Sequence, residues 1–518
     1  MQDFIEHISA GYACKGDFIV LGHAACDGNP IGEAHIKIPL KTMNRHGLVA
    51  GATGTGKTKT LQVMAEQLSH KGVSVLMMDI KGDVSGLAAA GTRNKFIDER
   101  HNTSGLEWNA NGFPLEFLTL SNEPGTRLRA TVSEFGPVLL SKILQLNDTQ
   151  GGVLALLFKY VDDNQIPLLD LKDLRRVIQF SIEEGKDEIK TNYGLVSTAS
   201  ASAILRSITA LEQQGGDLFF GEPSFDVEDL VRIDENGKGI ISVLRLIDMQ
   251  DKPALFSTFM LCLLAELYQK FPEEGDLPQP KLCIFIDEAH LIFQEASKSL
   301  LQQIETIVKL IRSKGVGIYF CTQNPQDVPD AVLSQLGLKV QHALRAFTEK
   351  DRKAIKKAAE NYPISDYYKT DILLTSLGTG EALVTALNEK GIPTPLAHVL
   401  MRSPESRMDV LTPDETNAVM QKSKLAAKYN QDIDRESAFE ILNQKILDSR
   451  TEIEEKSASE KPQKSATKKE EPTTFEKLSK NTMVRQLGNT VLREVTRGLL
   501  GVLGVKKSSS KKRNSGFF

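Results

Sequence analysis

The sequence predicts an α/β fold with a mostly parallel sheet, and two patterns support this prediction. Short apolar runs typical of buried strands alternate with segments whose apolar residues recur at helical spacing. Several of these runs end in glycines, acids or amides, the residue types that open α/β sheets place beyond the carboxyl ends of their strands. We therefore expect one α/β core with an α-helical insertion, followed by a disordered linker and a C-terminal amphipathic helix.

The first 46 residues are expected to form a short β segment. Residues 17–21 and 35–38 are apolar stretches separated by turn residues. They are too few for an independent barrel of ordinary size, so we expect them to pack on the core, which is predicted to span residues 47–415.

A glycine-rich segment from residue 51 to residue 58 matches the phosphate-binding pattern G-x-x-x-x-G-K-[ST]. It lies between a predicted strand, residues 46–50, and a predicted helix, residues 60–68. Lys57 is expected to contact the β- and γ-phosphates and Thr58 to hold Mg²⁺. The pattern thus predicts ATP and Mg²⁺ as ligands, with these residues in contact with the nucleotide: Gly51, Ala52, Thr53, Gly54, Thr55, Gly56, Lys57, Thr58 and Lys59.

The remaining core is predicted from its apolar runs. Strands are expected at residues 73–80, 117–120, 239–244, 281–286, 317–321 and 381–385. Helices are expected from residue 253 and over residues 297–313. From about residue 131 to residue 231 the pattern becomes helical, with amphipathic spacing at residues 137–144 and 171–178, so we interpret this region as an α-helical insertion in the core.

Two acids follow the predicted strand at residues 281–286. Asp287 is expected to hold Mg²⁺ through its water shell, and Glu288 to polarise the water that attacks the γ-phosphate. An adjacent pair of this kind implies hydrolysis as well as binding. The letters Asp-Glu-Ala-His also spell a helicase box, but no glutamine- and arginine-rich motif of that family follows. His290 is interpreted as a structural residue at a helix start.

Three more polar residues are candidates for a role in hydrolysis. Gln323 follows the predicted strand 317–321, where it could sense the γ-phosphate; the alternative is a turn residue before Pro325. Arg312 closes a predicted helix and is interpreted as an arginine finger for a neighbouring subunit; the alternative is a solvated charge at a helix C-terminus. Arg345 is a second candidate for the finger.

Composition narrows the class of protein. The chain has 518 residues and a formal net charge of −4, so any nucleic-acid surface must be local. Its five cysteines show no metal-binding spacing, and three of them fall in apolar runs, which suits a reducing cytoplasm. The N-terminus lacks the pattern of a signal peptide, and no apolar segment is long enough to span a membrane.

The C-terminal part is expected to be a helical arm at residues 416–450, a disordered linker at 451–474 and a basic amphipathic tail at 475–518. The apolar residues of the tail form one stripe, and almost all of its charged residues from Lys477 onward are basic. Such a tail could dock on another subunit or on an unidentified protein partner, bind DNA phosphate or lie on an anionic membrane surface. We expect docking, and the other two alternatives stay open.

At this point the motifs resemble those of a known family. The glycine-rich loop and residues 285–290, 312–317, 322–325 and 333–335 occur in the order seen in HerA/FtsK-type hexameric ATPases. Residues 135–140, 340–347 and 402–407 resemble the YjgR-like branch. The resemblance implies a RecA-like core, a ring of about six subunits and motor activity on double-stranded DNA. Two features differ: Lys81 stands where HerA proteins typically carry a histidine, and the N-terminal barrel of HerA is nearly absent.

Two functions are therefore compatible with the sequence. The first is an ATP-hydrolysing ring that moves double-stranded DNA through its pore. The second is a nucleotide-gated assembly platform, in which hydrolysis switches the binding of a protein partner and no DNA is moved. Stimulation of hydrolysis by duplex DNA would favour the first function, and stimulation only by a protein partner would favour the second.

Overall fold

The computed structural model describes residues 1–249, 252–275, 277–293, 298–346 and 348–459. Its strands are β1 Phe18–Cys26, β2 Asn29–Pro39, β3 Gly47–Ala50, β4 Ser74–Asp79, β5 Leu115–Thr119, β6 Thr126–Arg127, β7 Ile241–Arg245, β8 Leu282–Ile286, β9 Val316–Thr322, β10 Leu338–His342, β11 Glu381–Thr385 and β12 Ala397–Met401.

The α-helices of this part of the chain are α1 Gln2–Gly11, α2 Lys57–His70, α3 Lys95–Ser104, α4 Val132–Ile143, α5 Asp148–Asp163, α6 Leu171–Ile182, α7 Lys186–Asn192, α8 Thr198–Gln213, α9 Gly216–Phe219, α10 Pro253–Lys270, α11 His290–Phe293, α12 Lys298–Ile311, α13 Asp330–Leu333, α14 Glu349–Glu360, α15 Thr370–Ser376, α16 Pro413–Gln421, α17 Lys424–Tyr429 and α18 Ala438–Ser459. No described helix is long and apolar enough to cross a membrane.

The described strands form one sheet in the order β2-β1-β12-β11-β10-β3-β9-β8-β4-β7-β5-β6. The strands from β10 to β6 in this order run parallel to one another. The strands β11, β12, β1 and β2 extend the β10 side in antiparallel pairs. The predicted α/β fold with a mostly parallel sheet is thus confirmed.

The chain divides into two compact units. The first comprises Met1–Thr131, Leu169–Leu171 and Arg206–Arg435 and contains every described strand. The second is helical and comprises Val132–Leu168, Lys172–Leu205 and the segment that begins at Glu436. Within the second unit, Asp173 of α6 accepts hydrogen bonds from the Ser437 hydroxyl (2.6 Å) and the Phe439 N–H (2.9 Å), which fixes the start of α18.

The central strands form because their residues are apolar on both faces, as expected for a parallel sheet covered by helices. All residues of β3, β4, β8 and β9 are buried. On one face of the sheet α2 contributes Leu61, Met64, Ala65 and Leu68, each at most 1% exposed. This packing fixes the direction of α2, whose first turn lies at the glycine-rich loop.

Several local features differ from the sequence prediction. Residues 1–46 contain a helix, α1, and β1 and β2 are longer than predicted and belong to the main sheet. The helices α4 to α9 occupy the region predicted as an insertion, but the part from Arg206 onward belongs to the first unit. The helix α18 continues to Ser459, because residues 451–459 are rich in good helix formers. The predicted tail at 475–518 lies outside the described residues.

Candidate active site

Four neighbouring parallel strands end at the same edge of the sheet and bring the predicted residues together. The order β3-β9-β8-β4 places the glycine-rich loop, Gln323, Asp287 and Asp79 at successive strand ends. Since adjacent strands lie about 5 Å apart, these four strand ends span roughly 15 Å. We call this row of carboxyl strand ends the active edge.

The glycine-rich loop needs glycine at three positions. Gly51, Gly54 and Gly56 have φ values of 153°, 78° and 111°, which residues with a side chain rarely adopt. A Cβ atom on Gly51 would also lie 2.5 Å from the Cβ of His342. The loop therefore turns sharply enough for its N–H groups to line a phosphate site in front of α2.

The first two residues of the loop are anchored to the strands on either side of β3. The Gly51 N–H donates to the carbonyl of Thr322, the last residue of β9, at 3.2 Å. The Ala52 N–H donates to the carbonyl of Ala343, just past β10, at 2.8 Å. A displacement of either neighbouring strand end would therefore shift the glycine-rich loop.

Lys57 begins α2 directly after Gly56 and is only 5% exposed. Its ammonium donates to the Ala52 carbonyl across the loop at 3.1 Å. Burial lowers the pKa of this ammonium, and the positive charge of Lys81 adds to the decrease. The amine thus lies in the loop, where it can reach the β- and γ-phosphates of a bound nucleotide.

Thr58 and Lys59 follow in the first turn of α2. Thr58 is half-buried, one residue past the loop lysine. The Lys59 ammonium donates to the Met408 carbonyl and to the side chain of Gln62 (3.2 Å). The side chain of Lys59 is thus engaged away from the loop, so its contribution to phosphate binding would come from its backbone N–H.

Asp287 and Glu288 follow β8, and each is 6% exposed. Glu288 has a φ of 45°, an uncommon conformation for a residue other than glycine. The Lys81 ammonium pairs with Glu288 Oε1 and lies 3.6 Å from Asp287 Oδ2. On the other side, His290 Nδ1 is 3.2 Å from Glu288 Oε2, so the histidine predicted as structural lies against the candidate base.

The two acids fit a hydrated Mg²⁺ ion. Asp287 Oδ1 and Glu288 Oε2 are buried and have no hydrogen-bond partner among the described residues. Burial raises the pKa of Asp287, whereas Lys81 and Cys321 oppose the increase. A buried oxygen acceptor without a donor, at the edge where Thr58 also lies, is suited to the ordered water of a magnesium shell.

Asp79 shapes the turn that carries Lys81. Its carboxylate accepts the backbone N–H groups of Gly82 (2.7 Å), Asp83 (3.2 Å) and Val84 (3.3 Å). Burial and the charge of Asp83 raise the pKa of Asp79 to about 6. Because the turn is held by three hydrogen bonds, the backbone of Lys81 is fixed opposite the two acids.

Gln323 is exposed at the active edge between the glycine-rich loop and the acids. The backbone on both sides of it is held in place. Thr322 donates its hydroxyl to Asp327 (2.6 Å), and the same carboxylate accepts the Asn324 N–H at 3.1 Å. This arrangement leaves the side chain of Gln323 accessible to a γ-phosphate or to its attacking water.

The two arginine candidates lie at opposite ends of the parallel strands. Arg312 is exposed and precedes the amino end of β9, and Asn44 donates to its carbonyl at 3.4 Å. Arg345 is exposed on the active edge just past β10, with Nη1 3.5 Å from the Thr375 carbonyl. Arg312 is therefore remote from the glycine-rich loop of its own chain, whereas Arg345 is near it.

Sequence reasoning gave no role to the residues that support the loop from β10 and β11. His342 is buried between Thr60 Oγ1 (2.9 Å) and the Glu381 carbonyl (2.8 Å), and burial lowers its pKa to about 4. The Gly380 N–H donates to the Thr55 carbonyl at 3.0 Å. β10 was not predicted as a strand, so no sequence signal placed this histidine beside the loop.

Comparison with known proteins gives a consistent family. A family model described as helicase HerA-like C-terminal matches residues 27–508. The DNA double-strand break repair helicase HerA of Sulfolobus acidocaldarius is 22% identical over 373 residues, which cover 71% of this chain and 67% of that protein. The HerA protein of Saccharolobus solfataricus is 24% identical over 364 residues, or 69% of this chain and 65% of that protein. The chain thus spans about two thirds of the length of these relatives.

Solved structures with a similar fold include the bacterial conjugative coupling protein TrwB. Its unbound form is 15% identical, has a TM-score of 0.49 and covers 79% of this chain and 95% of its own. The plasmid coupling protein TrwB in complex with ADP and Mg²⁺ is 14% identical with a TM-score of 0.47, over 77% of this chain and 98% of its own.

Proposed function

Because the chain belongs to the helicase HerA-like C-terminal family, we propose that it is an ATP-hydrolysing ring motor that moves double-stranded DNA. One observation carries the proposal: the glycine-rich loop, two buried acids with unpartnered oxygens and an exposed glutamine meet at a single sheet edge. Each of these groups has a separate task in phosphoryl transfer.

Each residue of the site has a separate proposed role in hydrolysis. Lys57 and the N–H groups of the loop would bind the phosphates, and Thr58 and Asp287 would hold Mg²⁺, which supplies charge neutralisation at the β- and γ-phosphates. Glu288 would take a proton from the attacking water, since its Oε2 accepts no hydrogen bond among the described residues. Gln323 would orient that water from the next strand end.

The position of Arg312 supports assembly into a ring. Its side chain is exposed at the edge opposite the glycine-rich loop, so it can act at such a loop only in a neighbouring subunit. A head-to-tail contact of this kind closes into a ring when the rotation between subunits allows it. We propose six subunits, with Arg345 as a second candidate for the residue that completes the site.

Double-stranded DNA is proposed as the substrate because of the relatives. Two of them are named DNA double-strand break repair helicases, and a third, from Sulfolobus acidocaldarius, is named a DNA import protein. The net charge of −4 means that any DNA-binding surface is confined to a part of the molecule. The cytoplasm stays the expected location, and the role of the C-terminal tail stays a prediction.

The alternative function, a nucleotide-gated assembly platform, uses the same active edge. In that case hydrolysis would release or capture a protein, and duplex DNA would have no effect on turnover. The site chemistry is shared by both functions, so the partner is what separates them.

One experiment tests the proposal against this alternative. ATP turnover by the full chain is measured with and without duplex DNA at low and at high salt, alongside the mass of the assembly. We expect stimulation by DNA that weakens as salt rises, because phosphate contacts release counter-ions, and a mass of six chains. ATP turnover that is the same with and without duplex DNA at every salt concentration would favour the assembly platform.

A further inference from the structure

Lys81 places a second ammonium group at the active edge. It lies in the turn after β4, pairs with Glu288 Oε1 and is 3.6 Å from Asp287 Oδ2. Its positive charge also contributes to lowering the pKa of Lys57, which lies at the same active edge. None of the roles in hydrolysis described above uses this lysine.

The number of donors on Lys81 exceeds its contacts with the acids. An ammonium has three N–H donors, and one of them serves Glu288 Oε1. The distance to Asp287 is longer than a hydrogen bond. The Lys81 side chain is 34% exposed, against 8% for each acid, so the lysine is the most accessible of the three side chains.

A counter-ion role alone would leave this exposure unexplained. Two buried carboxylates are stabilised by a nearby cation, and a cation behind them would serve equally well. Lys81 is instead partly exposed and contacts the carboxylate that is placed to activate the attacking water. A cation that touches this carboxylate lies within two hydrogen-bond lengths, roughly 6 Å, of the water that the same carboxylate would activate.

We propose that Lys81 is a γ-phosphate ligand that distinguishes a nucleoside triphosphate from a diphosphate while it holds Glu288 in position. The proposal rests on the proposed function, since it assumes that ATP binds with its γ-phosphate between Lys57 and Glu288. Lys57 contacts the β- and γ-phosphates and would bind both nucleotides. Lys81 has a phosphate partner only in the triphosphate.

The test compares the binding of two nucleotides. Fluorescent ADP and a fluorescent non-hydrolysable ATP analogue are titrated, with Mg²⁺, into the full chain and into Lys81→Met, Lys81→Arg and Lys71→Met. We expect Lys81→Met to weaken the triphosphate analogue by about tenfold to a hundredfold, the range for one charge-assisted hydrogen bond. Affinity for ADP should change by less than about twofold, within the spread of such measurements.

The other variants serve as controls. Lys81→Arg keeps the charge and should retain most of the preference for the triphosphate. Lys71→Met removes a lysine whose ammonium pairs with Asp17 at 2.7 Å on the surface, and should bind both nucleotides as the wild type does. If Lys81→Met does not fold, Lys81→Gln gives the same comparison, and the unfolding midpoint without nucleotide reports any loss of the Glu288 contact.

The outcomes separate the inference from the proposed function. An equal loss of affinity for both nucleotides, or none, in Lys81→Met or Lys81→Gln overturns the role of Lys81, while wild-type turnover of ATP leaves the proposed function standing. A wild-type chain that binds neither nucleotide overturns both.

Discussion

Lys57 and Glu288 lie at the ends of different strands, so phosphate binding and water activation can be separated by substitution. The Lys57 ammonium is inside the glycine-rich loop, 3.1 Å from the Ala52 carbonyl. Glu288 follows β8, and its Oε2 accepts no hydrogen bond among the described residues. We therefore propose that the two side chains act in separate steps of the reaction.

Substitution of these two residues should give opposite binding results. Lys57→Ala is expected to abolish tight ATP binding, because the loop loses its only ammonium that faces both the β- and γ-phosphates. Glu288→Gln should bind ATP normally but lower turnover by about 10²–10⁴-fold, the usual contribution of a general base. Equilibrium binding and phosphate release measure the two effects.

An exposed acid provides the control for Glu288. Glu349 is 73% exposed in its ion pair with Lys353 on α14, so Glu349→Gln should leave both measurements unchanged. Near-normal turnover in Glu288→Gln would remove that residue from the catalytic role.

At the scale of elements, one face of α2 binds the segment that follows β12. Three side chains spaced along the helix contact residues 405–408. His70 contacts the Glu405 carboxylate at 2.9 Å. Gln62 donates to the Ser406 hydroxyl (2.6 Å) and the Arg407 carbonyl (2.8 Å), and Lys59 donates to the Met408 carbonyl. We call residues 405–408 the strap. Because α2 begins at the glycine-rich loop, the strap fixes the helix that binds phosphate.

Glu66 is the buried acid of this contact. It is 2% exposed and accepts the N–H groups of Glu405 (2.8 Å) and Ser406 (3.0 Å) as well as the Ser406 hydroxyl. Burial raises its pKa to about 7, although the three hydrogen bonds oppose the increase. The carboxyl group is therefore partly protonated near neutral pH.

The raised pKa predicts a pH-dependent effect of Glu66→Gln. The glutamine amide has one hydrogen-bond acceptor fewer than the carboxyl group. The free energy of unfolding of the variant should therefore be lower than that of the wild type by about 1–3 kcal/mol at acidic pH. As pH rises from about 4.5 to 7, the Glu66 carboxyl ionises in the unfolded chain before it ionises in the folded chain. The free energy of unfolding of the wild type therefore falls relative to that of the variant. The gap between their unfolding midpoints should narrow over this interval; a gap that stays constant would contradict the raised pKa.

The same elements show which parts of the fold could be predicted. β3, β4, β8 and β9 are buried on both faces, so their apolar runs are visible in the sequence. β10 was missed because Lys339 and Gln341 alternate with its apolar residues, a pattern shared with many surface segments. α1 was missed because it is short and its buried residues are only Phe4 and Ile8.

The candidate site was predictable where one contiguous motif carries the chemistry. The loop residues and the pair Asp287 and Glu288 stand in recognisable local patterns and lie at one edge, as expected. The contact of Lys81 with Glu288 and the support of the loop by His342 join segments more than 200 residues apart. Only the folded sheet brings such residues together, so no local pattern could reveal them.

In the assembled ring, the proposed motor requires that one chain complete the site of another. Arg312 is exposed at the edge of the sheet opposite the glycine-rich loop. A guanidinium there can stabilise the charge of phosphoryl transfer only across a subunit contact.

A mixing experiment tests this requirement. Arg312→Ala should lower turnover by about 10³-fold or more, the effect of losing an arginine finger, while nucleotide affinity stays nearly intact. Mixed with Lys57→Ala, it should regain part of the activity, because some interfaces then pair an intact loop with an intact arginine. Arg345→Ala in the same assay tests the second candidate. No recovery, despite demonstrated exchange of subunits, would count against Arg312 as a finger.

Movement along duplex DNA can be measured by the displacement of a third strand from a DNA triplex. A motor that travels on the duplex should release the third strand in the presence of ATP and Mg²⁺, at a rate that falls with rising salt. The non-hydrolysable analogue and Glu288→Gln should give no release. ATP turnover by the assembled protein without any release of the third strand would contradict the motor and leave the assembly platform as the function of this chain.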